Sequence, residues 1–492
     1  MKNQLQSNVI INLIRTVTMT LLSFVTFPFV CRVLGDSALG MYTWAAAFVY
    51  YFLVLAKISI PNIALRECMK VRENKDELSM KVQEFFIIQS IATLLSFGLM
   101  CAIVFSVPSL KESTPKTLIF ILSINFLSNV FSFEWIFQTF EKHTYMAIRS
   151  ILITAIIDIL IFAVIKRPEN IILYTFLTVT ITILTVISNL VFLPSLIKIK
   201  KTRPYNFRQY LPSLLILLSV AFVGSLYDKT DTFILGLIDP TKAEVGSYSV
   251  GIKSIEIVIG IVASLGAVFM PRALYYQKEN NETKFNNLNR YATNVCLIIV
   301  VPAIALLITL ATPITKVIAG STGYVSASSV LIALASMMLT FSICNIIYTQ
   351  ILIPQKKEKL YLLVICSSAV MNIGTSCLFS LVLFKNNPAL GVAIGTSVTD
   401  FLMMVALFAI TWKNSKSMIL NTNTIKILLV GAIVAVVNIF LAPVIQNGIA
   451  KSMDIETAML LEIIIILVID AIIYIIGLII SKEKLIRTII KK

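Results

Sequence analysis

Long apolar runs, separated by short polar stretches, recur along the whole chain. A helix needs about 20 mostly apolar residues to cross the hydrocarbon core of a membrane. Runs of this kind occupy residues 9–30, 40–60, 84–106, 117–137, 149–165, 171–193, 211–234, 245–270, 291–311, 325–353, 361–384, 389–411, 425–445 and 457–480. The first run lacks a small-residue cleavage site, so it predicts a retained span and not a signal peptide. The sequence therefore predicts an all-α membrane protein with about fourteen transmembrane helices.

The composition agrees with this interpretation and argues against catalysis. Hydrophobic residues make up 58% of the chain and charged residues 13%, against about 25% charged in ordinary soluble domains. The connections between the runs are too short for a soluble catalytic domain. The single histidine, His143, lies in a short polar loop, and there is no CxxC or GxxxxGK[ST] motif. We expect no enzyme activity, no metal site and no cofactor.

The basic residues predict the orientation. Of the 41 Lys and Arg residues, 28 fall in loops on the side that holds both termini, including the 198–208 loop and the basic tail 481–492. Basic loops stay in the cytoplasm, so both termini are expected there. The same bias accounts for most of the net charge of +16, and we expect no nucleic-acid partner.

A phrase near the start of the chain returns about two hundred residues later. "LGDSALGMYTW" (34–44) falls between the first and second runs, and "LGLIDPTKAEVGSYS" (235–249) between the seventh and eighth. Six spans separate the copies, so both halves have the same orientation. Parallel repeats are a transporter architecture in which two bundles rock around a central path, although a duplication without transport also fits. The repeat predicts six-helix lobes at 1–195 and 205–411 around a central cavity, with 425–480 as an additional C-terminal helix pair.

Several phrases together resemble one family. "PFVCRVLGDSALGMYTWA" (28–45), "PNIALRE" (61–67), "FEWIFQTFEKHTYMAIRS" (133–150) and "DTFILG...EVGSYSVGIKS" (from 231) are similar to the bacterial polysaccharide-transporter, or repeat-unit flippase, branch of the multidrug/oligosaccharidyl-lipid/polysaccharide flippase superfamily. The resemblance implies a flippase of the bacterial cytoplasmic membrane that moves an undecaprenyl-pyrophosphate-linked oligosaccharide for cell-surface polysaccharide synthesis. It also implies membrane lipid, H⁺ or Na⁺, a polysaccharide polymerase and a chain-length regulator as partners.

Three other functions stay open from the sequence. A multidrug or cation antiporter of the same superfamily would share the repeat but favours an acidic cavity. A peptidoglycan-precursor flippase is suggested by the fourteen spans, because members of the polysaccharide branch often have twelve. A polymerase or ligase of the same pathway would need a large external loop, and the outer loops here are short.

Cationic side chains inside spans are the candidate substrate ligands. Arg15 lies about 9 Å from the cytoplasmic end of its span and Lys253 about 12 Å from the outer end, at 1.5 Å per residue. Such residues face a bundle interior or a wet cavity, and Arg grips a pyrophosphate with two hydrogen bonds. We expect Arg15, Lys253, Asn12 and Lys57 to bind substrate. Arg15 and Lys57 could instead reach the interface, and Lys253 could pair with Glu256.

Acidic side chains inside spans are the candidates for ion coupling. Asp228, Asp158 and Asp400 are expected to carry a proton or Na⁺, with Asp470 a further buried acid. Each of them could equally form a static pair.

The charge pattern makes a topological prediction. Single cysteines placed in the 198–208 loop should be protected from a membrane-impermeant thiol reagent in intact cells, while a cysteine at Lys316 should react. Labelling of the 198–208 loop from outside the cell would overturn the orientation.

Overall fold

The structure, a computed structural model, describes residues 2–107, 113–197, 200–320, 323–419, 421–449 and 454–481. Every regular element in these ranges is a helix. Helices are expected because a segment in hydrocarbon must satisfy its own backbone N–H and C=O groups. The chain divides into two compact units, Met1–Lys229 and Thr230–Lys492. The predicted tail at 482–492 lies outside the described residues.

Among its described residues, unit 1 contains eight α-helices and the larger part of a ninth. Their bounds are α1 Lys2–Lys57, α2 Ile60–Lys70, α3 Lys75–Ser106, α4 Ser113–Ser123, α5 Asn125–Phe131, α6 Glu134–Thr139, α7 His143–Val164, α8 Ile171–Phe192 and α9 Leu211–Ile238. The boundary between the units falls inside α9. Helix α1 packs against α3 and α7, and α7 packs against α8.

Helix α1 joins the first two predicted spans. Its 56 residues would extend about 84 Å if straight, far more than the hydrocarbon core of about 30 Å. The helical backbone is interrupted at Gly35, with φ 77° and ψ 174°, where a residue with a Cβ would be strained. The described residues therefore contain thirteen helices long and apolar enough to cross a membrane, and the first of them includes two of the fourteen predicted runs.

The fourth predicted span is broken. The run at 117–137 forms α4, α5 and the start of α6, and Phe133 takes the left-handed conformation (φ 48°) between α5 and α6. The Asn189 side chain donates to the freed carbonyl of Ser132. Arg149, on α7, donates to Glu134 at 2.7 Å and to Asn189. The buried guanidinium of Arg149 therefore connects both sides of this break.

The linker before α9 is fastened to α3. The carboxylate of Glu84 is fully buried and accepts from Arg203 Nη1 (2.7 Å), the Asn206 backbone N–H (2.8 Å) and the Tyr210 hydroxyl (2.8 Å). Arg203 also donates to Glu77 at 3.0 Å. We name Glu77, Glu84, Arg203, Asn206 and Tyr210 the linker clamp.

Both donor side chains of the linker clamp stay protonated at physiological pH. The hydrogen bonds that Arg203 donates to the carboxylates of Glu77 and Glu84 raise the pKa of its guanidinium. Burial, followed by the hydrogen bond to Glu84, raises the pKa of Tyr210 above its usual 10.0. A raised pKa means that the contribution of Tyr210 is present below pH 10 and is lost only as the pH rises through its folded value.

Unit 2 contains the remaining helices. Their bounds are α10 Ala243–Lys278, α11 Glu282–Thr309, α12 Ala311–Ala319, α13 Ala327–Ile346, α14 Glu358–Leu378, α15 Pro388–Ile410, α16 Trp412–Ile419, α17 Thr422–Ile449 and α18 Ile455–Ile480. Helices α13 and α14 continue into π-helical turns at Ile347–Leu352 and Phe379–Leu383. Helix α15 packs against α13 and α14, and α10 packs against α13. The short helix α16 was not anticipated from the sequence.

The C-terminal pair, α17 and α18, packs on α11 within unit 2. Leu297 and Val301 of α11 meet Ile427 and Val430 of α17 and Leu478 of α18. A Cβ at Gly431 would lie 2.0 Å from a methyl group of Val301, so α17 needs a glycine here to approach α11. The two spans without a partner in the sequence repeat are thus part of the apolar core of unit 2.

The linker clamp makes a stability prediction. Glu84→Ala leaves the buried hydroxyl of Tyr210 and the N–H of Asn206 without an acceptor, whereas Arg203 keeps its ion pair with Glu77. An unsatisfied buried donor costs about 1–3 kcal/mol. We expect a lower melting temperature of the purified protein and faster trypsin cleavage within 200–208. Glu73→Ala, which removes an exposed acid just before α3, is the matched control. Equal cleavage in both variants would show that Glu84 does not hold the linker.

Candidate functional site

The predicted substrate residues of α1 differ in their surroundings. Asn12 Nδ2 lies 3.2 Å from His143 Nδ1, at the start of α7. Arg15 is half-buried, and no described residue forms a hydrogen bond or ion pair with its guanidinium. Lys57 is exposed at the last residue of α1. Among the described residues, Arg15 is therefore a half-buried cation of a membrane-spanning helix for which no partner is described.

The fourth predicted substrate residue has a local partner. Lys253 Nζ lies 2.5 Å from Glu256 Oε2, one turn farther along α10. Both side chains are more than one-third exposed. The pairing with Glu256 that the sequence left open is present, and it neutralises the charge of Lys253 locally.

The predicted coupling acids lie in three different settings. Asp158 is buried and lies in hydrogen-bonding reach of Thr26 on α1. Asp228 is exposed and interacts electrostatically with Lys229, whose ammonium lies 5.7 Å from the ring of Tyr50. Asp400 is buried in α15.

Asp470 also has a partner inside unit 2. Its Oδ2 accepts from Asn438 Nδ2 of α17 at 2.8 Å. This hydrogen bond joins the two helices of the C-terminal pair. The fully buried amide of Asn438 therefore makes Asp470 a structural partner between α17 and α18.

An acidic site with four side-chain hydrogen bonds is centred on Asp231, three residues after the predicted Asp228. Asp231 Oδ2 accepts from the Tyr248 hydroxyl at 2.6 Å and the Thr396 hydroxyl at 2.7 Å. Its Oδ1 accepts from Asn372 Nδ2 at 3.1 Å and the Ser376 hydroxyl at 3.3 Å. We name these five side chains, from α9, α10, α14 and α15, the Asp231 network.

The Asp231 network concentrates oxygen atoms in a buried place. Each of its five side chains is at least nine-tenths buried. The Asn372 carbonyl oxygen also accepts from Ser376 (3.0 Å) and Thr396 (3.2 Å). Three of the partners are hydroxyls, which can turn their lone pairs inward as readily as their hydrogens. The network can therefore stabilise a carboxylate as it stands, or take up a proton or a hard cation if its hydroxyls rotate.

The described residues were also searched for groups that could bind a metal ion. Among the described ranges no group of three or more His, Cys, Asp and Glu side chains is placed to hold a metal ion. The polar groups that are best organised within the spans are hydrogen-bond networks, of the kind that line or support ion pathways in transporters.

The fold is that of known membrane transporters. A lipid II flippase MurJ in an inward closed conformation matches with a TM-score of 0.70 and 20% identity, over 96% of this chain and 99% of that one. An inward-facing MATE multidrug transporter of the MOP superfamily matches with a TM-score of 0.59 and 13% identity, over 82% and 99%. The MATE multidrug transporter DinF-BH, in a ligand complex, gives 0.56 and 13%, over 85% and 97%.

Sequence comparison adds the family. None of the curated protein sequences compared with the chain matches it. A family model described as "Polysaccharide biosynthesis protein" matches residues 5–277, which is more than half of the chain. With its many apolar helices and MurJ/MATE-like transporter fold, this multi-pass membrane protein belongs to the polysaccharide biosynthesis protein family.

Proposed function

We propose that this protein flips an undecaprenyl-pyrophosphate-linked oligosaccharide across the bacterial cytoplasmic membrane for the synthesis of a cell-surface polysaccharide. The family match carries the proposal, because it connects a transporter fold to polysaccharide biosynthesis. Within that pathway, the transfer of a lipid-linked intermediate between leaflets is the step that suits a transporter fold.

Arg15 is the residue that we assign to the pyrophosphate. A charged side chain within a span is costly unless it is paired or faces a wet cavity, and Arg15 has no described partner. A guanidinium presents parallel N–H donors that match two phosphate oxygens. Lys253, neutralised by Glu256, is the weaker candidate, and Lys57 lies at the helix end.

The Asp231 network is the site that we assign to ion coupling, in place of Asp228, Asp158 and Asp400. Its five side chains come from four helices, so binding of H⁺ or Na⁺ would rearrange contacts among all four. Differential binding of an ion to two conformations is what allows a gradient to drive a transporter. Asp228 lacks comparable hydrogen-bond donors within the described residues.

A peptidoglycan-precursor flippase is the second candidate. The similarity to the lipid II flippase covers 96% of the chain, whereas the two MATE matches cover 82% and 85%. The two candidates differ in the intermediate that accumulates when the protein is depleted. When the protein is depleted, we expect an undecaprenyl-pyrophosphate oligosaccharide to accumulate while peptidoglycan synthesis continues. Accumulation of lipid II with growth arrest would support the second candidate and refute the first.

The assignment of Arg15 predicts a graded loss of export. Arg15→Ala should lower polymer export about 10- to 100-fold, since a hydrogen bond to a charged group contributes about 1.5–3 kcal/mol. Arg15→Lys should retain part of the export because the charge remains but the paired geometry is lost. Surface polymer is measured at equal protein level in the membrane, with Arg208→Ala in the exposed linker as control. Full export by Arg15→Ala would remove Arg15 from the substrate site.

The coupling assignment predicts opposite results for two aspartates three residues apart. Asp231→Asn should abolish the dependence of export on the ion gradient, because an amide cannot bind a proton as the carboxylate does. Asp228→Asn should keep that dependence. Export is compared with and without collapse of the proton and sodium gradients. The reverse pattern would return the coupling role to Asp228.

A further inference from the structure

A polar groove of about 470 Å³ lies within unit 2, where α10 turns into α11. Tyr276, Gln277 and Asn280 form one wall, and Gln355 and Asn414 contribute another. The charge pattern predicts that this end of the unit is cytoplasmic. The groove shares no lining residue with the Asp231 network, and neither the family match nor the fold comparison gives it a role.

The lining of the groove is rich in neutral amides. Five of its ten lining side chains are Asn or Gln. Two of the three charged lining residues, Lys413 and Glu282, form an ion pair at 3.5 Å, which leaves Lys357 as the remaining charge. An amide offers both donors and acceptors, as a sugar hydroxyl does. A site for an anion would instead show an excess of cations.

Two helical segments that line the groove also carry buried amides for which no partner is described. Phe285 lines it and is 2% exposed, and Asn289, one turn farther along α11, is fully buried. Within the described part of the chain, neither amide atom of Asn289 has a hydrogen-bond partner, and the same holds for fully buried Gln350. Gln350 sits in the π-helical turn Ile347–Leu352, shortly before Gln355. Buried polar groups are normally satisfied, and π-helical turns are frequent at functional sites.

We propose that this groove binds the neutral sugars of the lipid-linked substrate on the cytoplasmic side, before they cross the membrane. The ring of half-buried Tyr276, with the Lys284 ammonium 6.0 Å from its centroid, lines the groove and can pack against a pyranose ring. The amides offer matched donors and acceptors to the sugar hydroxyls. The inference rests on the proposed function, since it assigns the sugar part of the same substrate to a second place on the protein.

The groove is tested by photo-crosslinking in cells whose glycans carry a tritiated sugar. The full-length protein with Tyr276→p-benzoylphenylalanine should form a labelled adduct, sensitive to glycosidase, at least tenfold above the background. The matched control is Tyr291→p-benzoylphenylalanine, an exposed tyrosine of α11 outside the groove. An equal yield at both positions, or no adduct at 276, would overturn the proposal, provided that the same membranes contain the lipid-linked oligosaccharide.

A second variant tests the amides directly. Gln355 Nε2 donates to Asn414 Oδ1 at 3.1 Å, so replacing both residues, Gln355→Leu with Asn414→Leu, leaves neither one unpaired. We expect about a tenfold fall in the adduct formed at position 276. Asn287→Leu, an exposed amide on α11, should not change the adduct. An unchanged yield in the double variant would contradict the role of the amides.

The proposed flippase function and the sugar-binding groove can be refuted independently. If depletion of the protein does not accumulate a lipid-linked oligosaccharide, the proposed function is wrong, whatever the crosslinking shows. If the intermediate accumulates and position 276 forms no adduct, only the groove inference is wrong.

Discussion

The hydrocarbon core of a membrane offers no hydrogen-bond partner, so polar groups within the spans must find partners in the protein itself. The rest of this structure depends on this requirement. Backbone groups are satisfied within helices. Where a helix breaks, at Phe133, the Asn189 side chain of α8 donates to the carbonyl of Ser132, and Arg149 of α7 donates in turn to Asn189. Where an acid is buried, as at Asp231, neighbouring helices direct four donors toward it.

The same constraint distinguishes charges with described partners from Arg15, to which we assign a functional role. Arg149 has Glu134 and Asn189, Lys253 has Glu256, and Asp470 has Asn438. A charge with partners inside its own unit is stabilised by them, so its stability does not depend on a bound substrate. Arg15 differs because its guanidinium has no described partner, and the cost of keeping it in a spanning helix is offset most simply by a bound anion or by a wet cavity.

Hydropathy alone predicted the class of fold, because each span must bury about 20 apolar residues regardless of its neighbours. The sequence also predicted a connection between the first two apolar runs, where Gly35 takes a conformation that glycine tolerates best. It did not predict that helix α1 continues through this connection, and it did not predict the break at Phe133. The break depends on Asn189 and Arg149, which are distant in sequence. A hydropathy average covers only neighbouring residues, so it does not include them.

The Asp231 network was not predicted either, because its partners are also distant in sequence. Asp228 and Asp231 bracket Lys229 and are equivalent by composition, and only the fold shows that one is exposed and the other buried. The partners of Asp231 on α14 and α15 lie 141 and 165 residues away. The i, i+4 spacing of Asn372 and Ser376 was a signal in the sequence, but nothing local connected it to α9.

The central claim, transfer of a lipid-linked oligosaccharide between leaflets, is tested most directly in proteoliposomes. The purified full-length protein is reconstituted with a labelled undecaprenyl-pyrophosphate oligosaccharide present in both leaflets, and a membrane-impermeant glycosidase is added outside. If the protein is a flippase, the whole pool should be cleaved over time, whereas protein-free vesicles should retain the inner-leaflet half. Protection of that half in vesicles with correctly inserted protein and an imposed ion gradient would contradict the account.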